Sequence, residues 1–292
     1  FLFKRLIKSL EISLGFFLYI LDKLKSYVLL LILGAPLISI ILYFFETLDN
    51  AWLYAWGLMS LLSVIMPKIY TQFIAPMFNK FTPLEDGELR TAIEAFSEKV
   101  NFPIARIDMM DGSRRSAHSN AYFSGFGKSR RIALFDTLLD KHTTEEIVSV
   151  VAHEVGHYKK KHIITGTILG IIETGIMLFV FNLLMNDPAL FAVFGVETVS
   201  VYGGLIFFGM LYSPVSLLTS IFTTALSRKN EFEADAYSLE HTQNKDALIS
   251  MLKGLAANNL SHLTPHPLMV FLSYSHPPVM DRIAAVTIID EQ

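Results

Sequence analysis

Four long apolar segments constrain the fold of this chain more than any other feature. They are residues 27–45, 51–66, 163–185 and 201–226, and only the third contains an acidic or basic side chain, Glu173. A run of about 20 apolar residues is long enough to cross the hydrocarbon core of a bilayer, and the shorter second segment begins with interfacial aromatic residues. Only 17% of the chain is charged, against about a quarter in soluble domains. We therefore expect an integral membrane protein, mainly α, with at least four transmembrane helices.

Two features near or within these segments leave alternatives open. Residues 1–26 mix five basic residues with a short apolar stretch, which predicts an interfacial helix or the end of a span. The basic residues are Lys4, Arg5, Lys8, Lys23 and Lys25. Glu173 either faces a protein interior or wet cavity, as intramembrane carboxyls usually do, or is protonated or hydrogen-bonded.

The basic residues predict which side of the membrane each polar segment occupies. The connections at residues 46–50 and 186–200 contain no Lys or Arg. The basic residues near the span ends lie on the other side: Lys68, Lys80, Lys159, Lys160, Lys161, Arg228 and Lys229. The positive-inside rule therefore places residues 67–162 and 227–292 in the cytoplasm. The corresponding domains are a membrane region at 1–67, a transmembrane hairpin at 163–226, and a cytoplasmic domain made of 68–162 and 227–292.

Charge and cysteine content exclude several functions. The net charge is −3, and no basic excess indicates a nucleic-acid partner. The chain has no cysteine, which excludes disulfides, a zinc site with Cys ligands and thiol nucleophiles.

The polar segment at residues 68–162 is predicted to contain both helix and strand. An apolar stripe predicts a helix at 86–100, and strands are expected at 105–110 and 131–135, connected through turns at 111–112 and 125–127. Between the strands lies a polar and aromatic stretch at 116–125. It is either a strand that pairs with an extended substrate or an ordinary hairpin.

The motif His153-Glu154-Val-Gly-His157 supplies the chemistry. In a helix its two imidazoles lie one turn apart on one face, where both can bind one zinc ion, and the adjacent Glu154 can act on a water molecule. A capping box at Thr143 and Glu146 predicts that this helix begins there. The alternative is a solvated helix with two surface histidines.

A catalytic zinc ion commonly takes a third protein ligand. Residues 227–237 are predicted to be helical, with Glu231 and Asp235 on one face and Glu233 on another. One of the two carboxylates on the shared face suits the metal, and the other suits the N–H of a ligating imidazole. The alternative is a helix start whose acids are favoured by the helix dipole.

Taken together, these motifs resemble the type I CAAX prenyl proteases, which are integral-membrane zinc endopeptidases. The resemblance rests on the metal-site motifs and on residues 78–85, 119–126 and 273–278, and it covers about residues 60–292. Members of that family carry further spans before this point, so we expect the chain to be N-terminally short. The implied fold is a gluzincin-type α+β metalloprotease domain split by the transmembrane hairpin.

The resemblance also implies a role for individual residues. One Zn²⁺ ion per chain would be bound by His153, His157 and Glu231, with Glu154 as general base. Asp235 would support a ligating histidine, His276 would support the oxyanion with the catalytic Arg282 nearby in the same motif, and Asn120 would bind substrate. We expect the remaining histidines to be structural or exposed: His118, His142, His162, His241, His262 and His266.

In this family the reaction removes the last three residues after a prenylated cysteine. The expected partners are therefore a peptide or protein substrate that can carry a lipid, and a bilayer of the endoplasmic reticulum type or a bacterial inner membrane. Two alternatives remain: a bacterial-type zinc protease of membrane-protein quality control, and a catalytically silent membrane scaffold or transporter. Glu154 favours an enzyme, because a scaffold that only binds metal does not need it.

Overall fold

The computed structural model describes the backbone of residues 2–124 and 130–290, and the side chains of 15–124 and 130–289. The predicted turn at 125–127 and the side chains of Lys4, Arg5 and Lys8 lie outside the described residues. Contacts divide the chain into two compact units, residues 1–65 with 170–214 and residues 66–169 with 215–292.

The described residues form fourteen α-helices and four strands. The helices are α1 (Leu2–Leu29), α2 (Ala35–Thr47), α3 (Ala51–Ile69), α4 (Ala75–Phe78), α5 (Glu88–Lys99), α6 (Asp136–Leu139), α7 (Thr144–Lys159), α8 (His162–Leu184), α9 (Pro188–Val193), α10 (Val201–Leu211), α11 (Ser213–Thr242), α12 (Lys245–Asn258), α13 (Pro267–Ser273) and α14 (Val279–Asp290). The strands are β1 (Phe81–Pro83), β2 (Arg106–Met110), β3 (Ala121–Ser124) and β4 (Arg131–Phe135).

Three continuous helical segments are long and apolar enough to span a membrane: Gly15–Thr47, Ala51–Phe78 and His162–Leu184. The first two pass through a π-helical turn, at Leu30–Gly34 and Tyr70–Ile74, just before a proline that cannot donate a backbone hydrogen bond. The short apolar stretch before residue 26 belongs to the first of these helices, so it continues into the span.

A fourth span is present if α10 and the first part of α11 cross the membrane as one broken helix. The break falls at Tyr212, two residues before Pro214. Proline disfavours the helical conformation of the residue before it and removes a hydrogen bond, which explains a break that the apolar pattern alone did not reveal. The predicted mainly α membrane protein is thus confirmed, with three candidate spans among the described residues, or four if α10 and α11 cross as one broken helix.

The first unit has its own apolar core. Phe45 packs edge-to-face on Phe181 with ring centroids 4.8 Å apart, and the Trp56 indole N–H donates to the Ile171 carbonyl at 2.8 Å. Glu173 lies partly buried within α8. The buried core contains Phe45, Ala51, Ala55, Leu178, Phe181, Met185 and Phe208.

The second unit contains a four-stranded sheet in the order β1-β2-β4-β3. Strands β2 and β4 pair in parallel, β1 is antiparallel to β2, and β3 is antiparallel to β4 at the edge. Strands β2 and β4 and helix α5 were predicted within two residues. Apolar side chains from the sheet, α5, α7, α12 and α14 form one core, which fixes the position of α7.

Candidate metal centre

Helix α7 places His153 and His157 side by side. Its N-terminus has the predicted capping box, in which Thr143 Oγ1 accepts from the Glu146 N–H and Glu146 Oε2 accepts from the Thr143 N–H, both at 3.3 Å. Ile147, Val151 and Val155, spaced at i, i+4 and i+8 along α7, form an apolar stripe that is buried. Because the helix is fixed by its cap and core, the two imidazoles one turn apart point the same way, with Nε2 atoms 3.1 Å apart.

Helix α11 places Glu231 and Asp235 opposite these histidines, and both carboxylates are buried. The two helices approach closely at Gly156. A β-carbon built there would lie 3.1 Å from Tyr237 Cβ and 3.2 Å from the Cα of Ala234. The sequence pattern gave the correct face of α11, but the close approach depends on this glycine.

The atoms that could hold a metal ion converge on one point. His153 Nε2 lies 3.6 Å from Glu231 Oε2, and His157 Nε2 lies 3.4 Å from Glu231 Oε1. Two ligand atoms of a tetrahedral zinc ion, each about 2.0–2.1 Å from the metal, are about 3.3–3.4 Å apart. Among the described residues, these three form the one group of His, Asp and Glu that meets the spacing for a metal ion. The donor set therefore fits a metal ion.

The Nδ1 atom of His153 is held by a carboxylate. It donates to Asp235 Oδ1 at 2.9 Å, and Arg282 donates to the same carboxylate through Nε at 2.7 Å and Nη2 at 2.6 Å. Arg282 also lies 3.2 Å from Glu231 Oε2 through Nη1. An imidazole whose Nδ1–H is fixed in this way presents Nε2 to a metal. Arg282 thus orients two carboxylates of the site, a contact that local sequence patterns could not predict.

His162 lies at Nδ1 of His157, as Asp235 lies at Nδ1 of His153. The two Nδ1 atoms are 3.0 Å apart, and His162 Nε2 donates to Glu233 Oε2 at 3.1 Å. The sequence predicts a structural or exposed His162, and a Glu233 that points away from the shared face of Glu231 and Asp235; in the structure these two side chains contact each other. The chain turns at Lys161, which has a φ of 62°, so that His162 at the start of α8 folds back against α7. The sequence contains a signal for this contact, a histidine five residues after His157, but helical spacing alone does not bring the two side chains together.

Burial and neighbouring charges set the ionisation of the site. Burial raises the pKa of the Glu154 carboxyl, although the charges of His153 and His157 oppose this shift. Burial also favours a higher pKa for Glu231, but the hydrogen bond from His157 and nearby cations lower it to about 2. Asp235 is likewise buried, and its hydrogen bonds to Arg282 and His153 lower its pKa to about 2. Glu231 and Asp235 are thus anionic at neutral pH.

A cleft of about 640 Å³ opens onto these residues. His276 lines it, 65% exposed, with Nε2 3.5 Å from Glu231 Oε1. Asn120 lines it immediately before edge strand β3, its side-chain oxygen accepting from the Ala121 N–H at 2.9 Å. The apolar wall comes from α6, α7 and α12, through Leu138, Val150, Met251, Leu252, Leu255 and Ala256. The eight predicted site residues all line the cleft or touch a residue that does.

The other histidines have varied positions. His142 binds Glu146 at 2.8 Å, His241 stacks on Tyr237, and His266 caps α13. His118 and His262 line the cleft, which their spacing in the sequence did not indicate.

Two family models match this chain, and both describe proteases. A family model described as peptidase family M48 matches residues 83–289. A second, described as the CAAX prenyl protease N-terminal region with five membrane helices, matches residues 15–80.

Individual relatives agree. A CAAX prenyl protease 1 homolog of Arabidopsis thaliana is 40% identical to this chain. The aligned region covers 92% of this chain and 64% of the Arabidopsis protein. CAAX prenyl protease 1 of Saccharomyces cerevisiae is 35% identical, and the alignment covers 94% of this chain and 64% of the yeast protein. The crystal structure of S. mikatae Ste24p superposes with a TM-score of 0.85 at 34% identity, covering 92% of this chain and 66% of that one. The chain thus spans less than two thirds of the length of these relatives. It belongs to peptidase family M48, and its resemblance to the type I CAAX prenyl proteases is confirmed.

Proposed function

We propose that this chain is the catalytic part of a membrane-embedded zinc metalloendopeptidase. The observation that carries the proposal is the convergence of two imidazole Nε2 atoms and one carboxylate beside Glu154, at the base of an open cleft. Membership of a peptidase family supports the same conclusion.

Zinc is the metal that best suits this donor set. Two neutral imidazoles and one carboxylate form a common catalytic zinc site, which leaves a fourth position open. His153, His157 and Glu231 would hold one ion per chain. When bound, the ion supplies Lewis acidity, which lowers the pKa of a water molecule and polarises a peptide carbonyl.

The residues of the chain have distinct roles in hydrolysis. The Glu154 carboxylate takes a proton from the attacking water while the oxygen of that water bonds to the peptide carbon. Glu154 then returns the proton to the amine that leaves as the peptide C–N bond breaks. His276, exposed on the cleft wall, donates to the oxygen on which negative charge develops. Arg282 and Asp235 keep His153 and Glu231 oriented. Asn120 and the free edge of β3 bind the peptide in an extended conformation.

The substrate proposed is a prenylated protein or peptide from which the C-terminal tripeptide is removed. The relatives of this chain are named CAAX prenyl proteases. The apolar helices suit a substrate whose lipid remains in the membrane. From the distribution of Lys and Arg we place residues 67–162 and 227–292 on the cytoplasmic side. The division into a membrane region at 1–67, a hairpin at 163–226 and a protease domain stays a prediction.

Cleavage of matched peptides tests this function. The metal-loaded chain is reconstituted in phosphatidylcholine vesicles with a farnesylated CAAX peptide or the same peptide without the lipid, and released tripeptide is measured by mass spectrometry. We expect tripeptide from the farnesylated peptide, less from the plain one, and none after a chelator has removed the metal until zinc is restored. Equal cleavage of both peptides would favour a general quality-control protease. A metal-loaded chain that cleaves neither would favour a silent scaffold.

A further inference from the structure

A segment next to the catalytic cleft has an unusual composition. Residues 254–280 contain no Asp, Glu, Lys or Arg, whereas 17% of the whole chain is charged. The segment includes α13, whose side chains Leu268, Met269 and Phe271 are 57%, 54% and 50% exposed. Soluble surfaces rarely present contiguous apolar patches without charge, and such patches usually mark contact with a protein or a membrane.

The position of α13 relative to the membrane follows from Arg228 on α11. Its guanidinium donates to the carbonyls of Val270 and Tyr274, at 2.9 and 2.6 Å. These carbonyls lie in the last turn of α13 and directly after it, where the helix dipole favours a cation; the Val270 carbonyl also accepts from the Tyr274 N–H. Arg228 therefore fixes α13 to one level along α11.

That level is the end of the apolar part of α11. Leu226 is the last apolar residue before the polar motif, so Arg228 lies about 3 Å further along the axis. The headgroup layer on each side of a bilayer is about 5–7 Å thick. Arg228 therefore falls within this layer if Leu226 marks the edge of the hydrocarbon.

The exposed surface of α11 leads towards α13. Leu217 is 11 residues before Arg228, slightly more than three turns, so both lie on one stripe of the helix. Leu217, Leu218 and Phe222 are 48%, 63% and 77% exposed in the membrane-type part of α11. Of these residues Leu217 shares the stripe of Arg228, so exposed apolar surface of the membrane-type part lies on the side of α11 to which α13 is attached.

We infer that α13 is an interfacial helix that inserts Leu268, Met269 and Phe271 into the lipid surface beside the catalytic cleft. Helices that lie in a membrane interface bury their apolar side chains about 5–10 Å into the boundary between headgroups and acyl chains. A lipid surface also explains why the segment lacks charges of either sign. Tyr274, the residue after α13, lines the cleft, so the cleft begins where the interfacial helix ends. The inference depends on the membrane spans and is independent of the proposed peptidase activity.

Site-directed spin labelling tests this contact. The chain has no cysteine, so a single substitution gives a single label. Leu268→Cys, Met269→Cys and Phe271→Cys are labelled with a nitroxide, reconstituted in phosphatidylcholine vesicles, and compared by collision with oxygen and with a water-soluble nickel complex. Phe222→Cys on the exposed part of the span and Glu240→Cys near the other end of α11, whose side chain is 74% exposed, are the reference positions.

We expect oxygen-to-nickel collision ratios at the three α13 positions that resemble the ratio at residue 222 and are several-fold higher than at residue 240. Ratios at all three positions equal to that at residue 240 would place α13 in water and overturn the inference. Low collision rates with both reagents would mean that a protein surface covers α13, which also overturns it. Three separate positions guard against one variant that fails to fold.

Discussion

Replacing Gly156 by alanine tests how the two halves of the metal site are held together. Gly156 lies in α7 between His153 and His157, where α11 approaches closely. An added β-carbon would lie 3.1 Å from Tyr237 Cβ and 3.2 Å from the Cα of Ala234. Carbon atoms in favourable contact are about 3.5–4.0 Å apart, so the helices must separate by about 0.3–0.9 Å.

The size of the effect depends on whether metal is bound. Without metal the helices can move apart, and the gain of about 0.5–1 kcal/mol from replacing a helical glycine offsets much of the strain. With metal bound, ligand distances tolerate only about 0.2 Å, so the helices must remain close. Overpacking typically costs about 1–3 kcal/mol. If this strain appears only in the metal-bound form, metal affinity falls by about 5- to 150-fold.

The assay measures two quantities on the same protein. Zinc affinity is measured by competition with a chelating dye, and the stability of the metal-free protein by thermal unfolding in detergent. Gly166→Ala on α8 is the matched control, because an added β-carbon there meets nothing within 4 Å. We expect weaker zinc binding by Gly156→Ala alone, with little change in metal-free unfolding. Unchanged zinc affinity in that variant would refute the argument that the close approach of the helices sets the ligand distances.

Further substitutions separate the roles of other residues. Glu231→Ala should lose zinc as measured by elemental analysis, whereas Glu233→Ala should keep stoichiometric metal; equal loss would mean that the wrong carboxylate was assigned. His162→Ala should weaken zinc affinity by about 10-fold or more in the dye competition, because His157 loses the partner of its Nδ1 atom; an unchanged affinity would show that this contact is only structural. Thr143→Ala should lower the free energy of unfolding by about 0.5–2 kcal/mol by removing the cap of α7, while Thr143→Ser should restore it; equal stability of both would argue against the cap.

The sequence predicted those parts of the fold that depend on neighbours along the chain. The spans follow from the length of apolar runs, and α7 follows from the capping box at Thr143. The common face of Glu231 and Asp235 follows from helical spacing. Each of these signals comes from residues close together in the sequence, so contacts with distant residues do not change the local structure that it predicts.

The remaining features depend on residues distant in sequence or on an uncommon backbone conformation. Strand β1 has three residues, one of them a proline, and forms only because β2 is available to pair with it. Asp235 and Arg282 are 47 residues apart in the chain, so no periodicity connects them. His162 reaches His157 because Lys161 adopts a left-handed conformation, which is uncommon for residues other than glycine. The supporting contacts of the metal site were therefore harder to predict than its ligands.

The most direct test of the account is to measure zinc content and peptide cleavage on one preparation of Glu154→Gln. The amide cannot accept a proton at neutral pH, while His153, His157 and Glu231 remain to hold the ion. We predict stoichiometric zinc, and cleavage of the farnesylated peptide reduced by at least the roughly 10²–10⁴-fold typical of general acid–base catalysis. A zinc-loaded Glu154→Gln chain that cleaves the peptide at close to the original rate would contradict the assignment of Glu154 as the catalytic base.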